Sequence, residues 1–157
     1  MSAQSIFDHA PLGAIIRYSD GTPRPPKRHR RKLADWQRRN SCGRLVKRQA
    51  ATIVGQTILP ASFTLHEGDF GSEGVIVLKV FKTFSVGSDL AFTVTERPAA
   101  GSILIFDRPG EQGELVHVAA GMKDAEDWLS RHGYPQAVLQ IVTGEPADGD
   151  PVEGRAA

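Results

Sequence analysis

Apolar and polar positions divide this chain into a cation-rich front third and a remainder ordered by short apolar runs. From residue 52 onward the runs are rich in Val, Ile, Thr and Phe, and Gly, Pro, Asp and Ser separate them. That is the pattern of strands joined by turns. Residues 52–59 are β-branched and interrupted by Gly55, and Pro60 ends the run. Residues 61–67 alternate, with Phe63 and Leu65 opposed to Thr64 and His66. Residues 68–72 read as a loop. Residues 74–83 form the most hydrophobic run, apolar on both sides, which predicts a central strand covered on both faces. Residues 90–96 place Leu90, Phe92 and Val94 on one face and Ala91, Thr93 and Thr95 on the other, as in an antiparallel strand with one wet face. Shorter strands are expected at residues 102–106, 114–119 and 137–142. Turn residues punctuate them at 86–88, 98–101 and 107–110.

Two stretches have helical character. At residues 123–132, Met122, Ala125 and Leu129 recur at three- and four-residue spacing, with Trp128 beside them. Asp124, Glu126 and Asp127 sit toward its N-terminal end and Arg131 and His132 toward its C-terminal end, the arrangement a helix dipole favours. Gly133 and Pro135 terminate it. The other helix is predicted at about residues 26–40, because Pro26 is accepted in a first turn and Lys, Arg, Leu, Ala and Gln propagate helix well. Its apolar face is thin: Leu33 and Trp36, flanked by Ala34 and His29. Like charges at i,i+4, Lys27/Arg31 and Arg28/Lys32, oppose it, and Asp35 partly offsets them. Ahead of it lie a leader at residues 1–10 expected to be mobile, a short apolar run at 11–18, a turn at Asp20-Gly21 and a stiff proline-bearing piece at 22–26.

Strands clustered between end-placed helices predict an α+β fold, a mainly antiparallel sheet of about five or six strands packed by one C-terminal helix. The expected organisation is a basic arm with its helix over residues 1–50, a small α+β domain over 51–143, and a disordered acidic tail over 144–157.

Composition sharpens this picture through charge. The formal net charge of +1 hides a bipolar molecule. Residues 17–48 carry twelve Lys or Arg against two acids, Asp20 and Asp35, a formal +10 that leaves −9 for the rest of the chain. A concentrated positive field attracts polyanions, of which nucleic acid is the commonest. The expected phosphate-contacting residues are Arg24, Lys27, Arg28, Arg30, Arg31, Lys32, Arg38, Arg39, Arg44, Lys47 and Arg48, with Trp36 able either to stack on a base or to dock its own helix. Arg forks onto phosphate through two parallel hydrogen bonds, whereas Lys acts as a mobile point charge. No zinc-finger, helix-turn-helix or RNA-recognition signature accompanies them, so backbone contacts rather than base readout are expected, on DNA or RNA. The other expected partner is an acidic protein surface, which the same field would steer in an adaptor role.

Other chemistry is sparse. His66, Glu67 and Asp69, with Glu73 nearby, are the one candidate enzyme or metal constellation, at a spacing that matches no specific metal motif. His117 falls inside a predicted strand and reads as a core histidine; Trp128 reads as packing its helix on the sheet. Cys42 is the sole cysteine, so an internal disulfide or cysteine-rich zinc site is ruled out, and a reducing cytoplasm fits. Its basic neighbours would favour a thiolate, but no positioned base accompanies it. The glycine-rich residues 68–74 hold two acids and no Lys, a poor phosphate cradle. No cofactor is expected. Neither a signal peptide nor an apolar run of membrane-spanning length is seen.

Overall fold

The computed structural model describes residues 1–144; the expected disordered tail lies almost wholly outside them. The elements are α1 (Ala3–His9), β1 (Ile15–Ser19), α2 (Arg30–Arg39), β2 (Ser41–Gln49), β3 (Thr52–Val54), β4 (Thr57–Leu59), β5 (Ser62–Ser72), β6 (Val75–Ser85), β7 (Ala91–Glu96), β8 (Ile103–Phe106), β9 (Leu115–Ala119), α3 (Met122–Arg131) and β10 (Val138–Ile141). The fold is α+β, and the strand pairs are antiparallel. The strands fall into a five-stranded sheet ordered β6-β5-β2-β1-β7, a three-stranded sheet ordered β10-β8-β9, and the isolated hairpin β3-β4.

Alternation along the five-stranded sheet sends Ile16, Tyr18, Leu45, Phe63, Leu65, Phe84 and Phe92 to one face, where they form a buried cluster. The rings of Phe63 and Phe84 meet Phe92 edge-on, at centroid distances of 5.4 and 5.3 Å, a geometry aromatic quadrupoles favour. α1 covers this face. The leader expected to be mobile at residues 1–10 is thus a core helix: Ala3, Ile6 and Ala10 are fully buried, and Ser2 caps the helix by accepting a hydrogen bond from the Ser5 N–H. The apolar spacing 3, 6, 10 and the Ser cap were visible, but seven residues is too short a stretch for periodicity to identify a helix.

A bulge in β2 between Leu45 and Lys47 joins the two sheets. An extra residue in one strand turns consecutive side chains to different surroundings. Leu45 therefore packs in the first core, while Val46 packs with Leu104, Phe106 and Leu115 of the three-stranded sheet. The other face of that smaller sheet, with Ile103, Ile105 and Ala119, is covered by Ala125, Trp128 and Leu129 of α3.

Three expectations for the strands are corrected. Residues 52–59 are not one interrupted strand but the β3-β4 hairpin, turning where Gly55 takes a φ of 62°. Residues 68–72 are not a loop: they are the far half of β5, and the chain reverses at Glu73-Gly74, with φ of 53° and 79°, the two-residue turn whose twist matches a hairpin. β6 is not central but the edge strand, and Val75, Ile76, Leu78 and Phe81 are exposed. Among the described strands β6 pairs with β5 alone, and strand length adds to the exposure of residues 75–78. β2 pairs with β5 only as far as His66, so the hairpin beyond it has no second neighbour. Hydrophobic content reports that a strand tolerates burial, not that another element reaches it.

Candidate nucleic-acid interface

The basic segment leaves the body at the end of β1 and returns at the start of β2. Residues 22–26 carry no regular structure. The Pro26 carbonyl accepts from the His29 N–H at 3.0 Å, closing a separate turn before the helix. α2 then runs Arg30–Arg39 rather than from residue 26 or 27. His29 holds a non-helical ψ of 71° and its side chain makes no capping bond; its Nε2 instead accepts from Arg28 Nε at 3.2 Å. The repulsive pairs Lys27/Arg31 and Arg28/Lys32 consequently straddle the helix start and never share a helical face. Inside the helix the i,i+4 charge pairs are Arg31/Asp35 and Asp35/Arg39, which attract.

No residue of α2 is fully buried, so polar anchors hold it. Trp36 Nε1 donates to the Thr22 carbonyl at 2.9 Å, docking the helix on the stretch that precedes it. Asn40, just past the helix, donates from Nδ2 to the Trp36 carbonyl at 2.9 Å and to Asp20 Oδ1 at 3.0 Å. Its Oδ1 accepts from Ser19 Oγ at 2.7 Å and from the Asp20 N–H at 3.2 Å. The Thr22 hydroxyl and N–H both donate to the Asp20 carboxylate; these bonds, then Asn40 and Arg39, hold its pKa down at about 2. From across the sheet Lys82 Nζ donates to the Arg38 carbonyl, placing a cation at the negative end of the helix dipole. The same ammonium lies 3.4 Å from the Tyr18 hydroxyl and 4.8 Å from the centroid of its ring. Tyr18 in turn donates to Glu67 Oε1, and burial, reinforced by that carboxylate, pushes the phenol well above its ordinary range.

On this platform Arg24, Lys27, Arg28, Arg30, Arg31, Lys32, Arg38 and Arg39 are all exposed. Arg38 pairs with Asp35 at 3.4 Å, and Arg39 with Asp20 at 3.4 Å and Asp89 at 3.6 Å. Among the described residues the other six form no ion pair. At 100° per residue, Arg31, Lys32, Arg38 and Arg39 fall within an arc of about 120° on the side of α2 opposite Leu33, with Trp36 just beyond its Lys32 edge. The remaining predicted contacts sit elsewhere. Arg44 lies on β2 with Nη1 donating to the Gly13 carbonyl at 2.7 Å; Lys47 and Arg48 are partly buried farther along β2. Trp36 is committed to Thr22. Sequence reasoning missed Tyr18, Asn40 and Lys82 as the anchors. Lys82 is 44 residues from its carbonyl partner, and no local pattern reports such a contact.

The weaker candidates separate. His66 and Asp69 pair at 2.6 Å, with His66 beside the Phe81 ring, while Glu67 faces the opposite side of the sheet toward Tyr18. Among the described residues no three His, Cys, Asp or Glu side chains gather as a metal site. His117 stacks on Trp128 with centroids 4.7 Å apart, and His132 and Tyr134 stack on the same indole at 4.0 and 5.5 Å. Burial lowers the His117 pKa. Cys42 is exposed.

A family model described as "Uncharacterised conserved protein UCP036055" matches residues 1–146. The chain belongs to this family. The match takes in every element described above. No curated protein and no solved structure matches the chain. Among the described residues no helix is long and apolar enough to cross a membrane.

Proposed function

We propose that this member of the family is a small nucleic-acid-binding protein that grips the phosphate backbone with α2 and the turn before it, in a regulatory rather than catalytic role. The single observation behind this is the set of six exposed cations, Arg24, Lys27, Arg28, Arg30, Arg31 and Lys32, without ion-pair partners among the described residues. They project from a segment fixed at its base by Trp36, Asn40 and Lys82. Unpaired cations on an exposed element gain by releasing the counterions of a polyanion. Contacts of this kind position the protein on a backbone without reading bases. The lone exposed thiol, Cys42, suits a reducing cytoplasm.

The test is a fluorescence-anisotropy titration of the intact protein against labelled duplex DNA, single-stranded DNA and RNA at 50 mM salt, with poly-glutamate as a parallel arm. Binding to one or more nucleic acids and release at high salt are expected. Binding to poly-glutamate alone would convert the site into an acidic-protein interface. No binding at low salt would reject it outright.

A further inference from the structure

Away from α2, a cavity of about 790 Å³ opens between the end of β2, the β5-β6 pair and the loop from Arg108 to Gly113. That size lies within the range of small-molecule sites. One wall is apolar, with Phe7, Leu12, Phe106 and Val138.

The informative residue is Arg48. It pairs in register with Phe63, and opposed residues of an antiparallel pair share a face, so its side chain is directed to the core side of the sheet. There it lines the cavity. Its Nε is buried without a hydrogen-bond partner among the described residues. No carboxylate among the described residues forms an ion pair with it; the carboxylate it senses is that of Asp8, which accepts the Gln4 amide. The second guanidinium on the wall, Arg108, is held by Asp107 at 3.1 Å. A partly buried cation without a matched anion is costly. An entering anion would recover that cost through charge-assisted, forked hydrogen bonds. With Glu111 also lining the cavity and Asp8 near the guanidinium, a single negative charge fits better than two.

We propose that this cavity binds a small organic monocarboxylate, its head paired with the Arg48 guanidinium and its apolar body against Phe7, Leu12, Phe106 and Val138. The site is separate from the α2 surface and stands or falls independently of nucleic-acid binding. The probes are decanoate, decan-1-ol and acetate, titrated into the full-length protein by calorimetry and followed by thermal unfolding. Decanoate should bind saturably and raise Tm, at least tenfold more tightly than decan-1-ol, and acetate should not register. Arg48→Met should remain folded, since it removes an unmatched charge. It should lose at least tenfold in decanoate affinity while its decan-1-ol affinity stays within twofold. Val138→Trp should fill the cavity and abolish binding with Arg48 intact, which keeps the test open if Arg48→Met does not fold. Equal affinity for acid and alcohol, undiminished decanoate binding by either variant, or no decanoate binding at millimolar concentration would each overturn the proposal.

Discussion

Replacing Arg28, Arg31 and Lys32 together by Ala tests the α2 surface most directly, because the structure supplies the stoichiometry. Six exposed cations are unpaired among the described residues. If each neutralises one phosphate of duplex DNA, log K should fall against log[salt] with a slope of about −5.4, and the triple variant should give about −2.7. Between 50 and 200 mM salt these slopes correspond to affinity losses of about 2,000-fold and about 40-fold respectively. Among the described residues the three side chains make no hydrogen bond to another element, so the variant's unfolding free energy should stay within about 0.5 kcal/mol of the parent. Anisotropy titrations at five salt concentrations, with urea unfolding alongside, measure both quantities. A triple variant with the parental slope would mean these cations never reach phosphate. A parental slope near zero would mean that binding, if present, is not electrostatic.

The remaining predictions concern how the platform and body are held. Asn40→Ala removes hydrogen bonds that tie α2 to Asp20 and Ser19 and should cost about 2 kcal/mol in urea unfolding, with a shift in Trp36 emission as the helix loosens; unchanged emission would show that Trp36 and Thr22 suffice. Gly43→Ala should destabilise by about 1–3 kcal/mol, because a Cβ there would sit 2.9 Å from both the His66 carbonyl oxygen and the Leu65 Cβ in the middle of the sheet; a neutral result would mean that the β2-β5 spacing relaxes freely. The His117 pKa is lowered in the folded state, so its neutral form stabilises the protein above the ordinary histidine value of about 6.5, and that contribution should fade as pH drops from there toward the lower folded value. His117→Phe should flatten the Tm profile between pH 7 and 5; a profile that keeps its slope would place the titration on another group.

Several strands and the faces of two of them could be read from alternation alone. Phe63/Leu65 and Leu90/Phe92/Val94 reported their faces correctly, because a period of two is local and one wet face enforces it. α3 was equally visible, since Met122, Ala125 and Leu129 repeat over enough turns to define a stripe and Gly133 and Pro135 close it. The concentration of charge before residue 48 needed only counting.

Which of those charges face solvent was a tertiary matter. Arg28 and Arg48 belong to the same run, yet one stands on an unpacked turn and the other is drawn toward a cavity, because β2 pairs Arg48 with buried Phe63. The apolar run in β6 lies at an edge for a related reason: among the described strands only β5 pairs with it, and nothing within β6 encodes that. Composition and periodicity settled which residues can be buried or charged together. Long-range pairing, through one bulge at Leu45–Lys47 and contacts such as Lys82 with Arg38, decided which of them meet.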